Sequence, residues 1–179
     1  AILIVVLVVG LSLLLYPSFS DWWNSQVQTK LISNYNEIVA KLDTEDYTAL
    51  WDSARAYNGD LWGRNNPYLL EESQRERYNG LLNPAGDGIM GYVEIPDIDI
   101  LLPIYHGTDE LVLQVAIGHL DWTSLPTGGA GTHCVISGHR GLPSARLFTD
   151  LDKVAVGDVF MLHILDDTLT YEVDQIRIV

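Results

Sequence analysis

A single cysteine, Cys134, stands among 179 residues. No disulfide therefore joins two points of this chain, and no multi-thiolate zinc site is built from it alone. Cations are scarce: ten Lys and Arg against 24 Asp and Glu give a formal charge of -14. A surface so acidic repels a phosphate backbone, which excludes nucleic acid as the main partner. Charge of either sign makes up only 19% of residues, while 47% are hydrophobic, the reverse of a disordered or collagen-like composition. There is no internal repeat and no low-complexity tract. An initiating Met is missing too. The chain starts at Ala1, and Asp174–Val179 reads as a strand still running, so we expect it to continue at both ends.

What is present begins with an apolar run. Residues 1–15 are interrupted only by Gly10 and Ser12. As a helix they cover roughly 22 Å, so a few more upstream residues would complete a bilayer span of roughly 30 Å. Three readings stand: a buried core helix, a cleaved signal peptide ending near Ser18-Phe19-Ser20, and an uncleaved anchor over residues 1–16. No face of the run is polar, which argues against the first. Tyr16, Phe19, Trp22 and Trp23 would give an anchor its interfacial aromatic belt. No Lys or Arg precedes Lys30, which suits a chain that continues on the outer side.

Residues 17–85 read as a helical arm. Val27, Leu31, Tyr35, Ile38 and Leu42 recur at helical spacing and predict one apolar stripe. Thr44 is placed to cap a second helix ending near Asn58-Gly59. A Gly- and Asn-rich loop over 58–70 precedes a short helix from Glu71 to Tyr78. The turn cluster Asn83–Gly88 marks the boundary with a third region, 86–179. There the pattern turns to strands: Met90–Ile95, Ile98–Tyr105, Thr132–Ser137, Asp158–Leu165 and Thr168–Val179. Short helices are predicted at Asp109–Val115 and Ser144–Leu151. Such a run of short strands makes this region mainly β, a barrel or sandwich.

The chemistry rests on five histidines, one cysteine and the carboxylates. In one extended strand Cys134 and His139 would stand about 16 Å apart on opposite faces, too far for a nucleophile and its base. Cys134 is read as a buried strand residue. His133 and His139 are too far apart to share a metal, and His119 with Asp121 is read as structural or site-lining rather than as a ligand pair. Glu94, Asp97 and Asp99 are read as a solvated face rather than a Ca²⁺ site. No cofactor is indicated. His139 differs in context: Ser137-Gly138-His139-Arg140-Gly141 sets it where a strand gives way to a Gly-flanked loop at a rim.

Five blocks in order resemble the class C sortases, the pilus-assembling sortases of Gram-positive bacteria. They are Gly88–Pro96 (GIMGYVEIP), Leu102–Thr108 (LPIYHGT), Gly118-His119-Leu120 with Thr123-Ser124-Leu125-Pro126, Thr132–Pro143 (THCVISGHRGLP), and Leu147–Leu151 (LFTDL). The resemblance runs from about Gly86 to Val179, and the arm and anchor suit it. It implies a roughly eight-stranded sortase β-barrel, incomplete here, behind a transmembrane helix and a helical arm. It also implies a membrane-anchored cysteine transpeptidase with its catalytic domain outside the cell. Its partners would be pilins or surface proteins bearing an LPxTG-like sorting signal. By the resemblance His139 is the catalytic histidine, and Tyr68, Pro67, His119 and Arg140 line the substrate site or its lid.

The family's nucleophile sits in a Thr-Leu-x-Thr-Cys strand, with an arginine on the strand after. Neither motif occurs within residues 1–179, and both are expected after Val179. Cys134 matches a non-catalytic barrel position. The 179 residues alone are therefore expected to be inactive, and unstable or prone to aggregate. The lid's Asp-Pro-aromatic pattern has only the partial matches Asn66-Pro67-Tyr68 and Asp60-Leu61-Trp62. Tyr68 is open as a cleft stopper or an ordinary loop aromatic. The alternative function is a non-catalytic surface module that binds sorting signals. Leu125-Pro126-Thr127-Gly128 is read as a turn, not as a sorting signal.

Overall fold

The computed structural model describes residues 2–61, 63 and 68–178. The apolar run and the first arm helix form one element, α1 (Ile2–Val39), with Pro17 inside it. At 38 residues it is about 57 Å long. Its buried face is Gln28, Ile32, Tyr35 and Val39: Tyr35 lies on the predicted stripe, and the other three stand one position on from Val27, Leu31 and Ile38. Val27 is exposed, and Leu31 and Ile38 are only half-buried flanks. The shift follows from Tyr35, whose hydroxyl donates to the Met90 carbonyl at 3.1 Å and accepts the Leu165 N–H at 2.8 Å. Those two bonds fix the helix's rotation.

Helix α2 (Thr44–Leu61) is capped by Asp43 rather than Thr44. The Asp46 N–H donates to Asp43 Oδ1 at 2.9 Å, and the Asp43 N–H donates to Asp46 Oδ2 at 3.2 Å, a reciprocal capping pair. Helix α3 (Glu72–Gly80) carries its own capping box from Glu71 and Gln74. His106 then fastens the arm to the strands. Its Nδ1 lies 2.9 Å from the Gly88 carbonyl and its Nε2 lies 2.7 Å from the Leu81 carbonyl.

The strands are β1 (Ile89–Ile95), β2 (Ile100–His106), β3 (Ile117–His119), β4 (Ile136–Ser137), β5 (Val159–Ile164) and β6 (Asp167–Glu172), with a one-turn helix α4 (Glu110–Leu113) before β3. They form one curled sheet in the order β4-β3-β2-β1-β5-β6, antiparallel except for the β2–β3 pair. This is a half-barrel. Among the described residues β4 and β6 are its edges. Tyr92 stacks on His163 at 4.4 Å and meets Tyr35 edge-on, so α1 lies on that face of the sheet. One core of buried side chains runs from Tyr35 and Tyr57 in the arm through Val93, Ile104 and Leu162 in the sheet.

Three predicted elements differ. The strand predicted over Thr132–Ser137 is ladder-paired only at Ile136–Ser137. Upstream of it two backbone amides bond to hydroxyls: His133 N–H to Ser124 Oγ and Val135 N–H to Thr123 Oγ1, each at 3.1 Å. Ser144–Leu151 is a chain of turns rather than a helix, because Leu147 takes a left-handed φ of 37° that no α-helix accommodates. The last strand's ladder ends at Glu172, and Val173 makes the final bonds across, to Gly157 and Asp158 at 2.8 Å each, short of the predicted Val179. Its alternation holds: Leu169 and Tyr171 are half-buried, while Thr170 and Glu172 are exposed.

Candidate active site

Strand β4 ends at Ser137, and Gly138 and His139 follow. A side chain at Gly138 is excluded: its Cβ would lie 2.6 Å from Ile117 and 2.8 Å from the Phe148 ring. That close approach seats the strand end against β3 and the returning loop. The Phe148 N–H donates to the His139 carbonyl at 3.2 Å, and the Gly141 N–H donates to Thr149 Oγ1 at 3.1 Å. The histidine loop is thus stitched to itself on both sides of its turn. His139 is half-buried, and its Nε2 is buried with no hydrogen-bond partner among the described residues. A buried, unsatisfied ring nitrogen is costly unless a reaction or a partner uses it.

Beside this loop lies a groove of about 840 Å³. Its floor is apolar, from Val93 and Ile95 of β1 and Phe160 and Leu162 of β5, and Cys134, Gly138 and Arg140 stand on its wall. Such a cleft suits an extended peptide with apolar side chains. Cys134 is a poor nucleophile there. Burial pushes its thiol up to about 12, leaving almost no thiolate at neutral pH. The residue lies in extended chain before β4, half-buried, as a wall of the groove rather than in a paired strand.

The other expected site residues are scattered. His119 is fully buried, and its ring is fully engaged: Nδ1 lies 2.8 Å from the Tyr78 hydroxyl, and Nε2 lies 2.8 Å from the Ser124 carbonyl. With no exposed surface it touches no groove, and its work is to tie α3 to the turn after β3. The sequence spacing gave no sign of its partner Tyr78. Arg140 is exposed, paired with Asp152 at 2.9 Å. Tyr68 is 71% exposed and sits edge-on against Trp122 at 5.0 Å, outside the groove wall. Pro67, with Asn66 and Trp62, lies outside the described residues. Glu94 is taken up by His163 at 2.8 Å. Leu125–Gly128 forms a tight turn, with the Thr127 N–H donating to the Leu125 carbonyl at 2.7 Å.

The sortase domain family matches residues 93–179. A crystal structure of sortase C1 from Streptococcus agalactiae is similar at 47% identity and a TM-score of 0.79, over 83% of this chain and 77% of that one. The chain belongs to the class C sortases. Sortase C of Streptococcus pneumoniae is similar at 40% identity and a TM-score of 0.68, over 82% of this chain and 74% of that one. A Clostridium perfringens sortase C solved with a C-terminal cell wall sorting motif is similar at 40% identity and a TM-score of 0.69, over 82% and 75%. No match was found among curated proteins. In this sortase the curled half-barrel, with its long apolar helix and further helices, stands as the resemblance implied.

Proposed function

We propose that this sortase is a membrane-anchored transpeptidase that joins pilins or surface proteins through an LPxTG-like sorting signal. The observation that carries the reading is the buried Nε2 of His139, unpartnered among the described residues, on a loop whose flanking Gly138 and Arg140 line an apolar groove. In the reaction a cysteine thiolate attacks the Thr carbonyl of the signal. The Thr–Gly C–N bond breaks, and protonated His139 gives its proton to the departing amine. The product is a thioester. A lysine amine of the next pilin attacks it, the sulfur leaves as thiolate, and His139 takes back the proton. The enzyme regenerates with an isopeptide bond formed.

The nucleophile of this reaction is a cysteine other than Cys134, and an arginine binds the oxyanion. The thiol of Cys134, held up at about 12, supports a nucleophile elsewhere. Tyr68, with Pro67, is proposed to belong to the lid segment, and Arg140 to the rim of the substrate site. Residues 2–19 support the anchor: every side chain there is exposed and the run is apolar.

The test is mass spectrometry of the full-length enzyme incubated with an LPxTG-like peptide. An acyl adduct on a cysteine beyond Val179 is expected. His139→Ala should lower adduct formation and product release at least 100-fold. An adduct on Cys134, or a fully active His139→Ala enzyme, would overturn the reading. Peptide binding without any adduct would favour a non-catalytic binding module.

A further inference from the structure

From Ile2 to Phe19 every side chain of α1 is exposed. The next residues to lose exposure are Ser20, Asp21, Asn24 and Gln28, and all four are polar. Ser20, Asn24 and Gln28 stand four apart and share one face, which continues into the buried residues Ile32, Tyr35 and Val39. Ser20 Oγ and Asn24 Nδ2 both donate to the Ser144 carbonyl, at 2.9 and 2.5 Å. Asp21 Oδ1 accepts the Arg146 N–H at 2.7 Å. Gln28 Nε2 donates to the Val115 carbonyl at 2.9 Å.

Three of these bonds land on the backbone of residues 144–146, inside the loop that His139 opens. The loop's own pairing there is a single bridge, Leu142 with Ala145. Leu147 is left-handed, and Phe148, two residues past Arg146, is the residue bonded to the His139 carbonyl. A pull on Arg146 therefore reaches His139 through two peptide units and one hydrogen bond.

We propose that Ser20, Asp21 and Asn24 are positioning residues for His139. They clamp residues 144–146 from the outside and hold the histidine loop at a fixed distance from α1. This rests on His139 being the acid–base residue. The bonds go to backbone atoms, so the clamp reads the shape of the loop rather than its side chains. Tenths of an ångström matter at a proton-transferring group, and that is the scale such a clamp controls.

The experiment uses the full-length enzyme in lipid nanodiscs, assayed with an LPxTG-like peptide and an amine acceptor. The variants are Asp21→Ala, Asn24→Ala and the pair, with amide exchange followed in parallel. The pair should lower kcat about three- to tenfold with KM held within about twofold. Exchange at residues 142–149 should rise about tenfold, with the amides of β1, β2 and β5 and the Tm unchanged. Asp21→Asn keeps the Oδ1 acceptor and should restore kcat and protection, because the clamp needs an acceptor and not a charge.

A pair variant with wild-type kcat and wild-type loop exchange overturns the proposal. So does a uniform loss of protection with a lowered Tm, the mark of a merely structural contact. His139→Ala separates the two layers. If it keeps full turnover, the acid–base reading has failed. If it is dead while the pair is unimpaired, only the clamp has failed.

Discussion

The ring of His119 carries its proton on Nε2, because a carbonyl faces that atom while the Tyr78 hydroxyl donates to Nδ1. The Gly107 N–H in turn donates to the Tyr78 oxygen at 3.1 Å. Burial pushes the pKa of this histidine down to about 4 from the ordinary 6.5. The unfolded chain takes up a proton below about 6.5, and the folded chain does not until about 4. Stability is therefore full above that window and is lost as pH falls through it, by roughly 3 kcal/mol over the whole span. Urea midpoints between pH 7 and 4.5 should show the decline, and His119→Gln should flatten it. Asn58 is a second buried polar anchor. Its Oδ1 accepts the Leu125 N–H at 2.8 Å, and its Nδ2 donates to the Leu125 carbonyl at 3.1 Å and to Thr127 Oγ1 at 2.9 Å. Asn58→Ala should cost about 2–3 kcal/mol in chemical denaturation. Of these residues the sequence made His139 legible through its Gly-flanked strand end. It hid Tyr78 and Asn58, whose partners lie 41 and 67 residues away with no periodic signal to mark them.

At the scale of elements, periodicity located the helices and most of the strands and missed where side chains replace the ladder. Predicted strand 132–137 shrank to β4 because Thr123 and Ser124 hydroxyls occupy its upstream amides. Around Tyr35, which the stripe placed correctly, the other buried positions of α1 sit one residue on, because two hydrogen bonds from that hydroxyl decide the rotation. The predicted helix over 144–151 failed for a similar reason: the Arg146 amide is held by Asp21 and Leu147 is left-handed. Gly138 ties these elements together. Gly138→Ala forces a Cβ to within 2.6 Å of Ile117 and 2.8 Å of Phe148, so β4 and the histidine loop must part. We expect a loss of about 1–3 kcal/mol by thermal melting, with turnover falling further than Tm explains. Asp43→Ala, which removes the α2 cap, should cost only about 1 kcal/mol and leave turnover intact.

At the scale of the whole fold, the described residues leave an apolar groove between the edges β4 and β6. The order of blocks along the chain made this architecture legible, since five weak motifs in sequence specify one fold where each alone does not. Residues 26–179 produced without other segments should expose that groove and self-associate. Sedimentation at rising concentration should show it, and a concentration-independent monomer would refute it.

The distances in sequence spanned by α1 also set an order of events. The partners of Ser20 and Tyr35 lie 124 and 130 residues further along the chain. A ribosome adding about 5–20 residues per second makes those partners some 6–26 s after the helix. The helix is complete, by purely local bonds, before the surface it grips exists. Each newly made molecule therefore docks a late loop onto an early rod. A fault in translation between the arm and residue 144 would leave that rod formed but with nothing to grip.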